Sequence, residues 1–139
     1  GFERTFGTQQ MAEMLATVDY LACVLPETPE TAGLLDRPAF REMKPGCYLV
    51  NVGRGSLVDE DALLEALASG RLAGAALDVF REEPLPADSP LWHADNLLIS
   101  AHVAARSRPS EIARLFVDNY RRWIRGASLN HRVDFDRGY

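Results

Sequence analysis

The fold of this chain is decided by residues 47–79, which read CYLVNVGRGSLVDEDALLEALASGRLAGAALDV. Two apolar runs, at Cys47–Asn51 and at 74–79, have the length and continuous hydrophobicity of buried strands. Between them, residues 60–69 carry leucines at helical spacing, and Asp59 is the expected N-cap. Strand, helix and strand in this order favour a parallel sheet.

The same alternation continues on both sides of this stretch. Upstream, residues 8–17 have helical spacing and lead into an apolar run at 20–25, and Asp36 is the expected cap of a further short helix. Downstream, a proline-interrupted polar loop at 81–90 precedes a fourth apolar run at 97–100. Apolar strands joined by helices predict an α/β fold with an open parallel sheet covered on both faces.

The last part of the chain has a long amphipathic pattern. Residues 109–125 place apolar side chains on one stripe, and Gly126 ends the pattern. The stripe consists of Ile112, Leu115, Phe116, Tyr120, Trp123 and Ile124. We expect a helix that packs against something large, followed by a tail at 127–139 without regular structure.

The composition is that of a globular domain with an acidic balance. Of 139 residues, 47% are hydrophobic and 25% are charged, and the formal net charge is −5. These values exclude disordered, collagen-like and coiled-coil chains and favour one domain. The negative charge argues against nucleic acid or an anionic membrane as partner, and no apolar run approaches the roughly 18 residues of a membrane span.

Cys23 and Cys47 lie inside apolar runs, where a thiol behaves as a small hydrophobic side chain. Two reduced core thiols are favoured over a disulfide, and they favour a cytoplasmic location. The cysteines and histidines have no closely spaced pair of the zinc-ligand type, so no metal site is expected, and His93 and His131 are expected at the surface. The chain begins without Met, and we expect it to be a piece of a longer protein.

Ligands of open parallel sheets bind beyond the carboxyl ends of the strands, so the segments that follow the predicted strands are the candidate site. These segments are 25–28, 51–55, 78–84 and 100–102. Three of them contribute Arg54, Glu83 and His102. We expect these side chains to converge at one crevice.

An arginine, a carboxylate and a histidine in one crevice suit the reduction of a 2-keto acid by a hydride-carrying cofactor. His102 would donate a proton to the carbonyl oxygen, and Glu83 would orient the imidazole and favour its protonated form. Arg54 would bind the substrate carboxylate and polarise the carbonyl. Glycines on both sides of Arg54 would let the backbone approach a ligand closely.

Taken singly, these residues have plainer interpretations. Arg54 alone is more often a surface turn residue, and Glu83 alone is more often a solvated loop carboxylate. His102 alone is as often a structural histidine, hydrogen-bonded to backbone, as a catalytic one. Asp78, at the end of a strand, could simply cap the loop that follows it.

Five motifs resemble, in order and spacing, the signature of the D-2-hydroxyacid dehydrogenases. They are LPETPET at 25–31, NVGRG at 51–55, ALDVF at 76–80, EPLP at 83–86 and SPLW at 89–92. The segment around Trp92, HVAA at 102–105 and VDFDRGY at 133–139 are especially similar to the glyoxylate/hydroxypyruvate reductase A branch.

The resemblance implies a Rossmann-like sheet and NAD(P)H-dependent reduction of 2-keto acids such as glyoxylate and hydroxypyruvate, with NADPH or NADH as cofactor. It implies that Arg54 binds substrate, that Glu83 is the partner of the histidine and that His102 is the proton donor. The implied cofactor-lining positions are Leu25, Pro26, Val52, Gly53 and, at the nicotinamide carboxamide, Asp78. A homodimer is expected for the full-length enzyme.

The sequence departs from the family pattern in two places. The family usually has proline before the histidine, where this chain has Ala101. The phosphate-binding fingerprint needs three glycines, and the one G-x-G, at 53–55, has Val58 in the third place. We therefore expect residues 1–105 to be the C-terminal part of an NAD(P)-binding domain. Residues 106–139 would be a helix and tail that return to a substrate domain outside this chain.

If the chain is part of a reductase, we expect it to have little or no activity when isolated. Two other hypotheses remain. One is a non-catalytic binding module, since the fold family includes corepressors that use a dehydrogenase domain to bind partners. A pure scaffold would need none of Arg54, Glu83 and His102. The other is a degradation product with no role of its own.

Overall fold

The computed structural model describes residues 3–105 and 107–136 and contains one four-stranded parallel sheet. The strands lie in the order β1-β2-β3-β4, and every neighbouring pair is parallel. They are β1 (Tyr20–Cys23), β2 (Cys47–Asn51), β3 (Leu72–Leu77) and β4 (Leu97–Ile99). The predicted open parallel α/β sheet is confirmed.

Helices alternate with these strands, and a longer helix follows the sheet. They are α1 (Met11–Leu15), α2 (Arg37–Glu42), α3 (Glu60–Ala68) and α4 (Pro109–Ile124). Short 3₁₀ turns occupy Thr8–Gln10, Gly55–Leu57 and Pro90–His93. The side chain of Asp36 accepts a hydrogen bond from the Ala39 N–H at 2.9 Å, and that of Asp59 accepts one from the Ala62 N–H at 3.1 Å. Both predicted N-caps are therefore present.

Helices α1, α2 and α3 form the core with one face of the sheet. Leu15 of α1, Phe40 of α2 and Leu63 of α3 are almost fully buried with Leu49 of β2. Because side chains alternate across a strand, Cys47, Leu49 and Asn51 point to this covered face and Tyr48 points away from it.

The opposite face of the sheet differs from the prediction of a sheet covered on both sides. Tyr20, Val24, Tyr48 and Leu98 lie on it and are 72%, 71%, 43% and 74% exposed. The strands are apolar on both faces, as a two-sided sheet requires, but the three core helices of the described residues all pack on one face. The rings of Tyr20 and Tyr48 stack on the other face, with centroids 5.4 Å apart.

The predicted C-terminal helix forms, but the rest of the described chain leaves its apolar stripe exposed. No residue of α4 is buried, and Phe116 and Trp123 are 69% and 71% exposed. Gly126 follows the helix with a left-handed φ of +66°. The described part of the expected tail, up to Asp136, contains no helix or strand, and residues 137–139 lie outside the described residues.

Both cysteines are unpaired and buried, as predicted. Burial raises the pKa of the Cys23 thiol to about 11. None of the helices found in the described residues has the length and hydrophobicity needed to cross a membrane.

Candidate active site

The three predicted chemical side chains follow three neighbouring strands at one edge of the sheet. Arg54 follows β2, Glu83 lies in the loop after β3, and His102 follows β4. Parallel strands bring their carboxyl ends to the same edge, which is why residues far apart in sequence meet there.

Glu83 and His102 form a direct pair. Nδ1 of His102 lies 2.8 Å from Oε2 of Glu83, and Oε1 of Glu83 accepts a hydrogen bond from the Phe80 N–H at 3.0 Å. The hydrogen bond to His102, followed by that from Phe80, lowers the pKa of Glu83, and the charge of Arg54 adds to the effect. Glu83 is therefore an ionised acceptor at neutral pH. It favours the proton on Nδ1 and leaves Nε2 as the ring nitrogen that can meet a ligand.

Asp78 holds the loop that carries His102. Its carbonyl oxygen accepts a hydrogen bond from the His102 N–H at 2.7 Å. Its carboxylate accepts hydrogen bonds from the Ser100 hydroxyl and from the N–H groups of Val103 and Ala104, the latter two at 2.9 Å. These bonds, that from Ser100 first, lower the pKa of Asp78. They stabilise a turn in which His102 has a φ of +52°, a conformation uncommon outside glycine.

Arg54 lies on a turn whose backbone is hydrogen-bonded to the buried side-chain amide of Asn51. Asn51, the last residue of β2, is 0% exposed. Its Oδ1 accepts a hydrogen bond from the Gly53 N–H at 3.1 Å, and its Nδ2 donates to the Arg54 carbonyl oxygen at 2.9 Å. The Arg54 guanidinium donates to the Gly53 carbonyl oxygen at 2.8 Å, while the residue as a whole is exposed.

The glycines beside Arg54 are needed for contact with the chain's own backbone. A Cβ on Gly53 would lie 2.8 Å from the Leu25 carbonyl oxygen, and a Cβ on Gly55 would lie 1.9 Å from the carbonyl carbon of Phe80. The sequence interpretation assigned them to the approach of a ligand. The structure shows that they let the Arg54 turn pack between the segments that follow β1 and β3.

The residues expected to line a cofactor follow β1, β2 and β3 at the same edge of the sheet as Arg54. Leu25 and Val52 are 41% and 37% exposed, Pro26 is half-buried, and Gly53 is buried against Leu25. The hydroxyl of Thr31 donates to the Pro26 carbonyl oxygen at 2.7 Å and fixes the turn after β1. Leu25 and Val52 thus present apolar side chains to solvent just beyond the ends of β1 and β2.

A cleft of about 510 Å³ adjoins the Glu83–His102 pair. Glu83 and His102 form its polar end, and Phe80, Leu85, Trp92 and Ile99 are among its apolar lining residues. The indole N–H of Trp92 donates to the Pro86 carbonyl oxygen at 2.8 Å, which fixes the ring as a wall. Arg54 is not among the residues that line this cleft.

Sequence reasoning missed Asn51 and Ser100, which hold the two loops in place. Each is a polar residue at the end of an apolar run, and that position was the available signal. Trp92 was noted as part of a motif, but its place in the wall of the cleft was not predicted. Among residues 3–105 and 107–136, no group of three or more His, Cys, Asp or Glu side chains could hold a metal ion.

A parallel α/β sheet with a carboxylate–imidazole pair and an arginine at its carboxyl edge defines a domain of the dinucleotide-dependent dehydrogenase class. Residues 2–104 match the family model of the D-isomer specific 2-hydroxyacid dehydrogenase, NAD binding domain. The chain belongs to this family, and its predicted membership is confirmed.

Solved structures of the family are closely similar to the chain. A D-isomer specific 2-hydroxyacid dehydrogenase from Xanthobacter autotrophicus Py2, in complex with NADPH and MES, is 42% identical with a TM-score of 0.91, over 96% of this chain and 55% of that chain. A family protein from Aeromonas salmonicida is 47% identical with a TM-score of 0.91, over 97% and 44% of the two chains.

An NADPH-dependent glyoxylate/hydroxypyruvate reductase from Sinorhizobium meliloti, in complex with NADP and sulfate, is also similar. It is 33% identical with a TM-score of 0.91, over 96% of this chain and 44% of that chain. The chain therefore spans about half the length of these relatives.

Proposed function

We propose that this chain supplies the nicotinamide side of the active site of an NAD(P)H-dependent reductase that converts small 2-keto acids to 2-hydroxy acids. The Glu83–His102 pair, 2.8 Å apart at the carboxyl edge of the sheet, carries the proposal. The similarity to the Sinorhizobium meliloti enzyme supports glyoxylate or hydroxypyruvate as substrate and favours NADPH over NADH.

His102 is the proton donor in this proposal. Its Nε2 gives a proton to the keto oxygen as the carbonyl is reduced, and the imidazole is left neutral with its remaining proton on Nδ1. The ionised Glu83 accepts the Nδ1 hydrogen bond throughout. Glu83 therefore sets the orientation of the ring and directs Nε2 toward the substrate.

Arg54 binds the substrate carboxylate. Its guanidinium is a planar fork of donors that matches a carboxylate; the residue is exposed, and its turn packs at Gly55 against Phe80, in the segment that leads to Glu83. The same positive charge polarises the adjacent keto group, which favours attack at the carbonyl carbon.

In this proposal, the residues that follow β1, β2 and β3 lie at the nicotinamide end of the cofactor. Leu25, Pro26 and Val52 would contact the ring, the buried Gly53 would let the segment after β2 pack against Leu25, and Asp78 would lie at the carboxamide. When bound, the reduced nicotinamide supplies the hydride. The sequence has no three-glycine phosphate fingerprint, so the pyrophosphate would be bound by residues outside this chain.

The division of the chain is part of the same proposal. Residues 1–105 would be the C-terminal part of the NAD(P)-binding domain, and residues 106–139 would return to a substrate domain. The exposed apolar stripe of α4 supports this, because such a stripe is stabilised by a packing partner. The full-length enzyme would be a homodimer.

The test is the His102→Asn substitution in the protein at its natural length. Asparagine tolerates the left-handed backbone of this position, so the loop is retained while the proton donor is removed. We expect glyoxylate-dependent NADPH oxidation to fall by roughly 100-fold or more. His93→Asn, at an exposed histidine of the Pro90–His93 turn, is the matched control and should retain full activity.

Full activity of the His102→Asn variant would refute the role of His102. A wild-type protein that binds partners but oxidises neither NADPH nor NADH with any small 2-keto acid would favour the binding-module hypothesis. That hypothesis further requires the biological role to survive His102→Asn.

A further inference from the structure

We propose that Asn51 is the positioning residue for Arg54, acting through the backbone of the turn that carries the arginine. The inference rests on the proposed function, since it assigns Asn51 to the substrate-binding step of that reaction. Asn51 does not touch the substrate; it determines where the guanidinium that does so is held.

The side chain of Asn51 bridges backbone groups of two successive residues of the turn. Its Oδ1 accepts from the Gly53 N–H at 3.1 Å, and its Nδ2 donates to the Arg54 carbonyl oxygen at 2.9 Å. These groups lie on either side of the Gly53–Arg54 peptide bond and of the Arg54 Cα. The bridge therefore restricts the backbone torsions from which the Arg54 side chain departs.

The bridge is anchored in the rigid centre of the sheet. Asn51 is the last residue of β2, which lies between β1 and β3, and it is 0% exposed. Its carbonyl oxygen accepts a hydrogen bond from the Asp78 N–H at 3.0 Å. The amide is thus fixed in position relative to the strand that leads into the Glu83 loop, and it transmits that position to the Arg54 turn.

Arg54 depends on this backbone support because its side chain has little packing of its own. The residue is exposed, and its guanidinium donates to the carbonyl oxygen of the preceding residue, Gly53. That contact moves with the turn and cannot fix the guanidinium relative to His102. A change in the turn would therefore displace the guanidinium from the substrate carboxylate.

A purely structural role for the buried amide makes a different prediction. A buried Asn whose two hydrogen bonds are lost destabilises the fold whatever residue occupies position 54. A positioning residue affects the reaction through Arg54, so its effect on substrate binding disappears once the guanidinium has been removed. A double-mutant cycle separates the two roles.

The experiment measures kcat and KM for glyoxylate in the protein at its natural length, with Asn51→Ala, Arg54→Gln and the double variant. Because a buried hydrogen-bonding partner is lost, we expect Asn51→Ala to raise the KM for glyoxylate by about 10-fold. In the Arg54→Gln background, Asn51→Ala should raise that KM by less than about 2-fold. An equal rise in both backgrounds would overturn the proposal.

Asn119→Ala is the matched control. Asn119 makes the same kind of bridge, donating from Nδ2 to the Asn130 carbonyl oxygen at 3.2 Å and accepting from the Asn130 N–H at 2.8 Å. Its loss removes two comparable bonds away from the crevice, and the KM for glyoxylate should not change. A rise equal to that of Asn51→Ala would overturn the proposal.

A second variant covers the case in which Asn51→Ala does not fold, as judged by circular dichroism. Asn51→Asp has nearly the same shape and retains an acceptor for the Gly53 N–H but loses the donor to the Arg54 carbonyl oxygen; the same coupling to Arg54→Gln is expected. If Arg54→Gln itself leaves kcat and KM unchanged, the proposed role of Arg54 fails and this inference fails with it. If the enzyme is active and the effects of the Asn51 and Arg54 substitutions on KM are additive, this inference is overturned while the proposed function stands.

Discussion

The candidate site contains two carboxylates that accept hydrogen bonds from different parts of the His102 loop. Glu83 uses one oxygen for His102 and the other for its own backbone at Phe80. Asp78 uses its carboxylate for Ser100 and for the two residues after His102. His102 is thus oriented at its ring by Glu83 and at its backbone by Asp78.

The lowered pKa of Glu83 predicts a pH dependence of stability that Glu83→Gln should remove. A carboxyl group with a lower pKa in the folded state stabilises the protein above its unfolded pKa, about 4.3, and this contribution is lost as the pH falls through the folded value. We expect urea unfolding to show that wild type exceeds Glu83→Gln in stability at pH 7. The difference should shrink below roughly pH 4.

Glu82→Gln is the control for this titration, since Glu82 is the exposed neighbour in the same loop. Its stability should follow that of the wild type across the pH range. A Glu83→Gln difference that is constant with pH would mean that the Glu83 carboxylate is not the titrating group.

Among the elements, the alternation of strands and helices along the chain and the N-caps of α2 and α3 followed directly from the sequence. Asp36 and Asp59 were identifiable as caps because their short side chains precede helical spacing. β2 was placed at Cys47–Asn51 with its observed bounds. β1 was expected to continue to residue 25, but it ends at Cys23, where the chain turns toward Pro26. Local propensity therefore located the elements better than their ends.

The sequence predicted that the turn after β2 lies at the carboxyl edge of the sheet, where ligands bind. It did not predict which segments that turn packs against. The approach of Gly55 to Phe80 joins residues brought together by the pairing of β2 with β3. Such a contact depends on strand order and register, which a single sequence does not contain. For the same reason Arg54, Glu83 and His102 could be placed at one edge, while the hydrogen bonds of Asn51 and Asp78 could not be anticipated.

Gly55→Ala is expected to be the most disruptive single-methyl change in this turn. A Cβ at Gly55 would lie 1.9 Å from backbone atoms of Phe80, so one of the two segments must move. We expect a loss of roughly 1–3 kcal/mol or more in urea unfolding, and the displaced Phe80 should also perturb Glu83. Gly7→Ala, whose new Cβ would have its nearest neighbour, Gln10 Oε1, at 3.9 Å, should change stability by less than about 0.5 kcal/mol.

At the scale of the whole molecule, the apolar surface left exposed is as informative as the core. The face of the sheet with Tyr20, Tyr48 and Leu98 and the stripe of α4 with Phe116 and Trp123 are both exposed. The sequence indicated that each was a buried surface, because apolar periodicity records where a side chain packs. It could not indicate what covers either surface, since that depends on which other polypeptide segments are present.

The chain purified alone is therefore expected to associate with itself and to show little or no turnover. Exposed apolar surface favours association, and half a dinucleotide site should bind its cofactor poorly. Replacing Phe116 and Trp123 with Glu should reduce the associated mass in sedimentation, whereas replacing the exposed Arg114 of the same helix with Glu should reduce it much less.

Intact mass, measured on the sample used for the NADPH and NADH assays with glyoxylate, checks the prediction of inactivity. Clear turnover by material of only 15.4 kDa would contradict it and would mean that these residues form a complete catalytic site by themselves.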